Sequence, residues 1–93
     1  MLRTFNDMES RGPFYKLTNE REVHDGLCYK DGLNVDIVPF NPHGECQAGG
    51  MYFFERHQLV HVSRYVKDAY WIREVTLCSD SQIYEEENKL KAD

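Results

Sequence analysis

Three pairs of histidine and cysteine have spacings that suit a metal: His24 with Cys28, His43 with Cys46, and His57 with His61. Zinc takes nitrogen and sulfur donors in a tetrahedron, so two such pairs could complete one site. His57 and His61 would share a helix face, but that face also carries Arg64 and Asp68. An ion there would sit at the solvent edge beside a guanidinium. Joining His24 and Cys28 to His43 and Cys46 is the better metal reading. Against it stands a plainer one, in which the cysteines are small buried hydrophobes and the histidines are turn residues. Cys46 with His43 three residues earlier also resembles a thiol and its base. Such a pair needs an orienting third group and an oxyanion donor, a part the Gly49 and Gly50 amides could play. Nothing in the sequence assembles that geometry. "GECQAGG" is no phosphate loop, since it lacks a following Lys-Ser/Thr and leads into a strand instead of a helix N-terminus. The sequence therefore points to no metal, no cofactor and no catalytic set.

What remains is a set of polar and aromatic residues that could converge on a ligand: Asn34, Asp36, Phe40, Asn41, His43, Cys46, Gly49, Gly50, Tyr52 and Arg73. Arg73 stands out because "WIREV" is otherwise an apolar strand, where a charge must be paired or reach an edge. Its expected partners are Asp36 or acidic neighbours of Glu74 across the sheet. The acids of "YEEENK" read as a solvated segment.

Composition narrows the function classes. A chain of 93 residues is one domain at most, and a domain this small buries only roughly 60 to 65% of its unfolded surface. Five Phe, six Tyr and one Trp, 13% of the chain, are a large apolar supply, while 29% charged residues keep the sequence polar. The expectation is more aromatic surface than one core can hide. A net charge of -5 argues against binding by phosphate neutralisation, so nucleic acid is not an expected partner. No apolar run approaches the ~20 residues needed to cross a bilayer, and "MLRTFNDMESRGP" has no apolar signal core. A membrane is not an expected partner either. Cysteines in odd number, three, disfavour a closed disulfide framework and favour a reducing, intracellular setting.

The elements that must position these residues follow from periodicity and breakers. Residues 1–12 read as a flexible leader closed by Gly12-Pro13, and residues 13–93 as a single α+β domain. "PFYKLT" reads as a first strand, followed by a turn or short helix from Asn19. "GLCYKDGLNVDIVPF" suggests a hairpin turning at Lys30-Asp31-Gly32, and Pro39 and Pro42 forbid a long central strand beyond it. "GGMYFF" reads as a short buried strand leaving a double-glycine turn. From Glu55 to Lys67, Leu59, Val62 and Val66 recur on one helical side. "AYWIREVTLC" alternates as a strand, and "QIYE" as a shorter one. The order gives a small, mostly antiparallel β-sheet with one main helix packed on it.

With these segments in place, "FYKLTNE", "GLNVDIVPFNPHGECQAGGMYFF", "YWIREVTLCSDSQIYEE" and "NKLKAD" resemble a small domain of large cytoplasmic double-stranded DNA viruses. That domain stands alone or at the N-terminus of viral ankyrin-repeat proteins. The resemblance covers residues 13–93 and is most specific at Gly32-Leu33-Asn34 with Asp36, Phe40-Asn41-Pro42 with Gly44 and Cys46-Gln47, Gly49-Gly50, and Ile72-Arg73-Glu74-Val75-Thr76. Met51-Tyr52-Phe53-Phe54 departs from a Leu-Tyr-Phe-Thr type of strand, which removes a threonine N-cap from the helix. The family pattern also runs on into a further apolar strand past the position of Asp93, so an unpaired edge open to dimer formation is expected. The resemblance implies a viral protein of the host cytoplasm and carries no established activity.

Aromatic excess without a catalytic set points to a non-enzymatic interaction module, a homodimer that binds a host or viral protein through aromatic surface near residues 40–54. Two alternatives stay open: a small-ligand or nucleotide-binding domain, even a reduced enzyme, built on the glycine-rich turn, and a zinc-stabilised small domain.

Overall fold

The computed structural model of the chain describes residues 1–36, 38–43, 49–62 and 68–93. Its elements are β1 (Leu2–Arg3), α1 (Phe5–Met8), β2 (Phe14–Thr18), β3 (Val23–His24), β4 (Leu27–Cys28), β5 (Met51–Glu55), α2 (Arg56–Val62), β6 (Trp71–Val75), β7 (Ile83–Glu85) and β8 (Leu90–Ala92). Six strands form one sheet in the order β1-β7-β8-β5-β2-β6, and β3 and β4 form a separate hairpin. Every pairing is antiparallel. A small antiparallel α+β fold with one main helix is what the strand and helix periodicities predict.

Register decides which residues share a face. Phe14 pairs with Glu55 and Val75, Lys16 with Arg73 and Thr18 with Trp71, while Met51 and Ile83 both pair with Ala92, and Phe53 with Leu90. Because strand side chains alternate with period two, these residues all project from one side of the sheet. At one end of that side Met8 of α1 joins Phe14, Phe53, Ile83, Leu90 and Ala92 in the hydrophobic core. Phe14 and Phe53 meet edge-to-face with centroids 5.3 Å apart, the geometry that the ring quadrupoles favour. Tyr15, Leu17, Tyr52, Phe54, Ile72, Tyr84 and Lys91 occupy the other side by the same register.

Residues 1–12 carry β1 and α1. Leu2 and Arg3 pair with Tyr84 and Ile83 as an edge strand. Thr4 and Asp7 form a capping box on α1, with Thr4 N donating to Asp7 Oδ2 at 2.9 Å and Asp7 N donating to Thr4 Oγ1 at 3.2 Å. Arg11 then reaches Glu55 and Glu85. Charge patterning alone hid this, because the acids that hold Arg11 lie far along the chain.

The hairpin is also displaced from its expected place. It turns at Asp25-Gly26, with φ of 49° and 81°, the two left-handed residues that a type I′ turn requires and that Asp-Gly supplies. At Lys30-Asp31-Gly32 the Asn34 side chain takes the hydrogen bonds instead, accepting from Lys30 N at 3.0 Å and donating to Lys30 O at 2.8 Å. A side chain that closes a loop this way replaces a strand ladder, and Leu33 and Val35 are accordingly exposed. Ile37 lies outside the described residues.

The strand expected from "GGMYFF" is β5, and the helix expected over Glu55 to Lys67 is described as Arg56–Val62, residues 63–67 lying outside the described set. In place of the missing threonine cap, Gln58 Oε1 accepts from Glu55 N at 2.8 Å, half of a capping box. "YEEENK" is not a solvated run. Glu85 ends β7 inside an ion-pair cluster and Glu86 is buried. "NKLKAD" supplies β8, which sits inside the sheet between β7 and β5.

Candidate functional site

A cavity of about 530 Å³ opens on the same side of the sheet as α1, over the part that this helix leaves uncovered. Lys16, Met51, Phe53, Val75 and Ala92 floor it, and Tyr29 with the loop of residues 30–34 roofs it. Arg73, Leu77, Cys78, Ser81 and Asp93 complete its walls. Local chemistry explains the roof: Asn19 Oδ1 accepts from Arg21 N and Val23 N at 3.0 Å each, turning the chain after β2 so that the β3–β4 hairpin folds back over β2.

Arg73 stands at the rim. Its Nε donates to Glu22 Oε1 at 2.8 Å and its Nη1 to Asp31 Oδ1 at 2.5 Å, so its guanidinium ties the middle of β6 to the loops on either side of the hairpin. These acids are its partners in place of Asp36, which sequence spacing had suggested. Their hydrogen bonds and charges hold its pKa above the usual arginine value.

Lys16 is the unusual group. It is 2% exposed, its Nζ lies 2.5 Å from His24 Nδ1 and 5.0 Å above the Tyr29 ring, and among the described residues no carboxylate comes within ion-pair range of it. A buried ammonium without a counter-charge is costly. Burial lowers its pKa to about 7, partly opposed by the more distant Asp25 and Asp36. Burial first and the Lys16 charge second lower that of His24. Burial chiefly raises that of the Tyr29 phenol. The folded amine titrates below its unfolded value of 10.5, so its burial penalty is complete below about pH 7 and has vanished above about pH 10.5. Lys16→Met should therefore raise the thermal midpoint at pH 6 to 7, by roughly 2 kcal/mol of stability, and lose that advantage near pH 10.5. Melts followed by circular dichroism at the two pH values check this, and equal midpoints for both proteins at neutral pH would refute the penalty.

The described members of the sequence-predicted binding set are distributed over two places. Asn34, Tyr52 and Arg73 line the large cavity, whereas Asp36, Gly49 and Gly50 line a separate cleft of about 40 Å³, about the room of one water. Asp36 Oδ2 accepts from Gly50 N at 2.9 Å and its Oδ1 from Val38 N at 3.2 Å, so this carboxylate and the Gly50 amide satisfy each other. Asn41 N donates to Gly49 O at 2.7 Å. Phe40 is half-buried, with Lys91 Nζ 5.9 Å from its ring. His43 is exposed, and Cys46 lies outside the described residues. Tyr52, Phe53 and Phe54 are buried, so they do not form the aromatic binding surface expected near residues 40–54. Lys89 Nζ lies 4.1 Å from the Tyr52 ring centre.

The His24 and Cys28 pair is otherwise engaged. His24 contacts Lys16, and Cys28 Sγ approaches the Arg21 carbonyl oxygen at 3.8 Å. Among the described residues no group of three or more His, Cys, Asp or Glu is placed to hold a metal ion. Sequence reasoning missed Lys16, Tyr29 and His24 as a cluster. The available signal was a lysine at the centre of "FYKLT", on the same strand face as Phe14 and Thr18.

Fold and cavity together define a small antiparallel α+β domain whose sheet is open to a pocket on one side. Comparison with known proteins finds relatives in Acanthamoeba polyphaga mimivirus. One, named for ankyrin repeats, is 39% identical over 70 residues, covering 73% of this chain and 33% of that protein. An uncharacterised protein of the same virus is 39% identical over 62 residues, covering 61% of this chain and 45% of its own length. A second one named for ankyrin repeats is 42% identical over 43 residues, which is 45% of this chain and 13% of that protein. The chain thus spans less than half the length of these curated relatives. No protein-family model matches it, and no solved structure does. Among the described residues no helix is long and apolar enough to cross a membrane.

Proposed function

We propose that the chain is a non-enzymatic interaction module of a viral intracellular protein, acting in the host cytoplasm on a protein partner and associating with a second copy of itself. The observation that carries the reading is the outer edge of β6. This strand ends the sheet, and Tyr70, Trp71 and Ile72 along it are 63%, 48% and 56% exposed. Trp71 is held in place, its Nε1 donating to Glu20 O at 3.0 Å and its ring meeting Tyr70 edge-to-face at 5.2 Å. An exposed apolar edge strand is a template for another strand.

Self-complementarity favours a second copy. Antiparallel pairing about a two-fold axis through Ile72 places Ile72 against Ile72 on one face. On the other, Trp71 meets Arg73 of the second copy twice, a cation–π arrangement. Tyr70 falls opposite Glu74, and no like charges face each other. The relatives named for ankyrin repeats support a protein-binding setting. Sedimentation equilibrium at high micromolar concentration should give twice the 11.0 kDa monomer mass, and Ile72→Lys should return it to monomer. A wild-type chain that stays monomeric, or an Ile72→Lys variant that still dimerises, refutes this interface. A host or viral partner added at the same edge would compete with the dimer.

A further inference from the structure

We propose that the β3–β4 hairpin is a pH-operated flap over the sheet, latched by the contact between Lys16 and His24 and released when both side chains carry a charge. The latch depends on proton count. Lys16 Nζ and His24 Nδ1 lie 2.5 Å apart, a separation that needs one hydrogen between them and a lone pair to receive it. A neutral pair keeps the bond, the amine donating to the ring. A pair with one added proton also keeps it, more strongly, because one partner is then charged. With two added protons neither facing nitrogen has a lone pair, and two N–H groups point at each other across a gap too short for them. Lys16 is 2% exposed, so water cannot screen that repulsion unless the hairpin moves.

The hairpin is built to move as a unit. Its strands, Val23–His24 and Leu27–Cys28, pair with each other and with no strand of the six-stranded sheet. Tyr29 N donates to Glu22 O at 2.7 Å and closes its base, while Arg73 pins that base to β6 through Glu22 and Asp31. Among the described residues, the polar side-chain contact that ties residues 23–29 to the sheet is that of His24 with Lys16.

The surroundings set the pH at which the latch opens. Burial lowers both groups, Lys16 to about 7 and His24 below its usual 6.5. Asp25, whose Oδ2 lies 3.6 Å from His24 Nε2, favours charge on the pair, as do Asp36 beside Lys16 and Asp68 beside His24. Lys89 opposes it, and Arg73, opposite Lys16 on β6, is offset by Glu22 and Asp31. Tyr29 faces the amine as a neutral phenol, its pKa raised by burial. Once apart, both groups regain their ordinary values of 10.5 and 6.5. The open hairpin therefore binds more protons, and falling pH favours it. Release parts His24 and Asp25 from the small cleft and lifts Tyr29 from the roof of the large cavity, so access to both becomes acid-dependent.

Nuclear magnetic resonance reads latch and flap separately. Between about pH 7.5 and about pH 5, the Lys16 Nζ and His24 ring signals should come to report two charged groups. Over the same range the nuclear Overhauser contacts between the Tyr29 ring and the Lys16 side chain should be lost. Amide signals of residues 23–29 should shift together while those of β5 and β8 stay in place. His24→Gln keeps an acceptor for the amine but takes up no proton, and it should retain the contacts at the lower pH. Lys16→Met, expected to fold at least as stably as the wild type, should hold Tyr29 in place there and let His24 titrate nearer its ordinary value. Contacts kept in the acidified wild type, the same loss in His24→Gln or Lys16→Met, or movement of β5 and β8 in step with the hairpin would each overturn the proposal. The readouts belong to single residues of one chain, so they do not depend on whether β6 pairs with a second copy.

Discussion

Gly49→Ala should lower the thermal midpoint by about 15 °C, corresponding to a loss of roughly 3 kcal/mol in a domain of this size. Gly49 holds φ at +96°, and an added Cβ would fall on the Pro39 carbonyl oxygen and lie 2.9 Å from the Asn41 nitrogen. Both obstacles are backbone, so no rotamer change relieves them. The clash also prises apart the bond from Asn41 N to Gly49 O, which lashes residues 39–41 to the start of β5. A domain of this length has total stability of about 5 to 10 kcal/mol, so the substitution removes a large part of it. A melt of the Gly49→Ala protein within about 2 °C of wild type would show that the turn does not pack as described.

The second large effect centres on Arg11. Its guanidinium binds Glu55 and also donates to Glu85 Oε1 and Oε2 at 3.1 and 2.8 Å, while Arg3 Nε adds a bond to Glu85 at 2.7 Å. Arg11 thereby fastens α1 to both β5 and β7. Arg11→Met keeps the stem but takes the guanidinium from the Glu55 carboxylate, whose side chain is only 10% exposed, leaving it the exposed His57 with Nδ1 at 3.5 Å. The expected cost is about 3 kcal/mol, because a buried charge that loses its partner keeps its desolvation penalty. The pH dependence is distinctive. The Arg11 hydrogen bonds lower Glu85 from 4.5 to about 2 against opposing burial. A depressed carboxylate stabilises the fold above its unfolded pKa, so the wild type should hold this contribution above about pH 4.5 and lose it progressively toward pH 2. At 1.36 kcal/mol per unit the contribution is roughly 2 to 3 kcal/mol once partial exposure is allowed for. Urea titrations at pH 6 and pH 3 check both parts. Parallel losses in the wild type and Arg11→Met would disconnect Glu85 from Arg11.

Where a signal was local, it was legible in the chain. β5 follows from an apolar run after two glycines, and α2 begins where Leu59 and Val62 take up helical spacing. β6 follows from the alternation of "WIREV". The Asp25-Gly26 dipeptide carries the same local signal as Asp31-Gly32. Both dipeptides permit a left-handed turn, and only the Asn34 side chain, by taking the hydrogen bonds at the second, separates a hairpin from a loop. The aromatic-rich segment departs from expectation for a different reason. Counting aromatics suggests an excess over what one core can hide, but it does not say which are spare. Tyr52, Phe53 and Phe54 are buried on β5, which lies between β8 and β2, while Tyr70 and Trp71 are exposed at β6, which among the described residues has a strand neighbour on one side only.

By itself the sequence determined the class of fold, the strands β2, β5, β6 and β7, an acidic chain unsuited to phosphate neutralisation, and the glycine pair from which β5 starts close to another backbone. These follow from propensity, period and composition, which act over a few residues or over the chain as a whole. Tertiary structure alone decided strand order, and with it everything that joins distant residues. It placed β8 inside the sheet and made residues 1–12 part of the fold through Glu55 and Glu85. It set Lys16 opposite Arg73 and beside His24, with no carboxylate in ion-pair range among the described residues. A charge's behaviour depends on the dielectric and the partners within a few ångströms, and those are set by contacts between residues far apart in the chain.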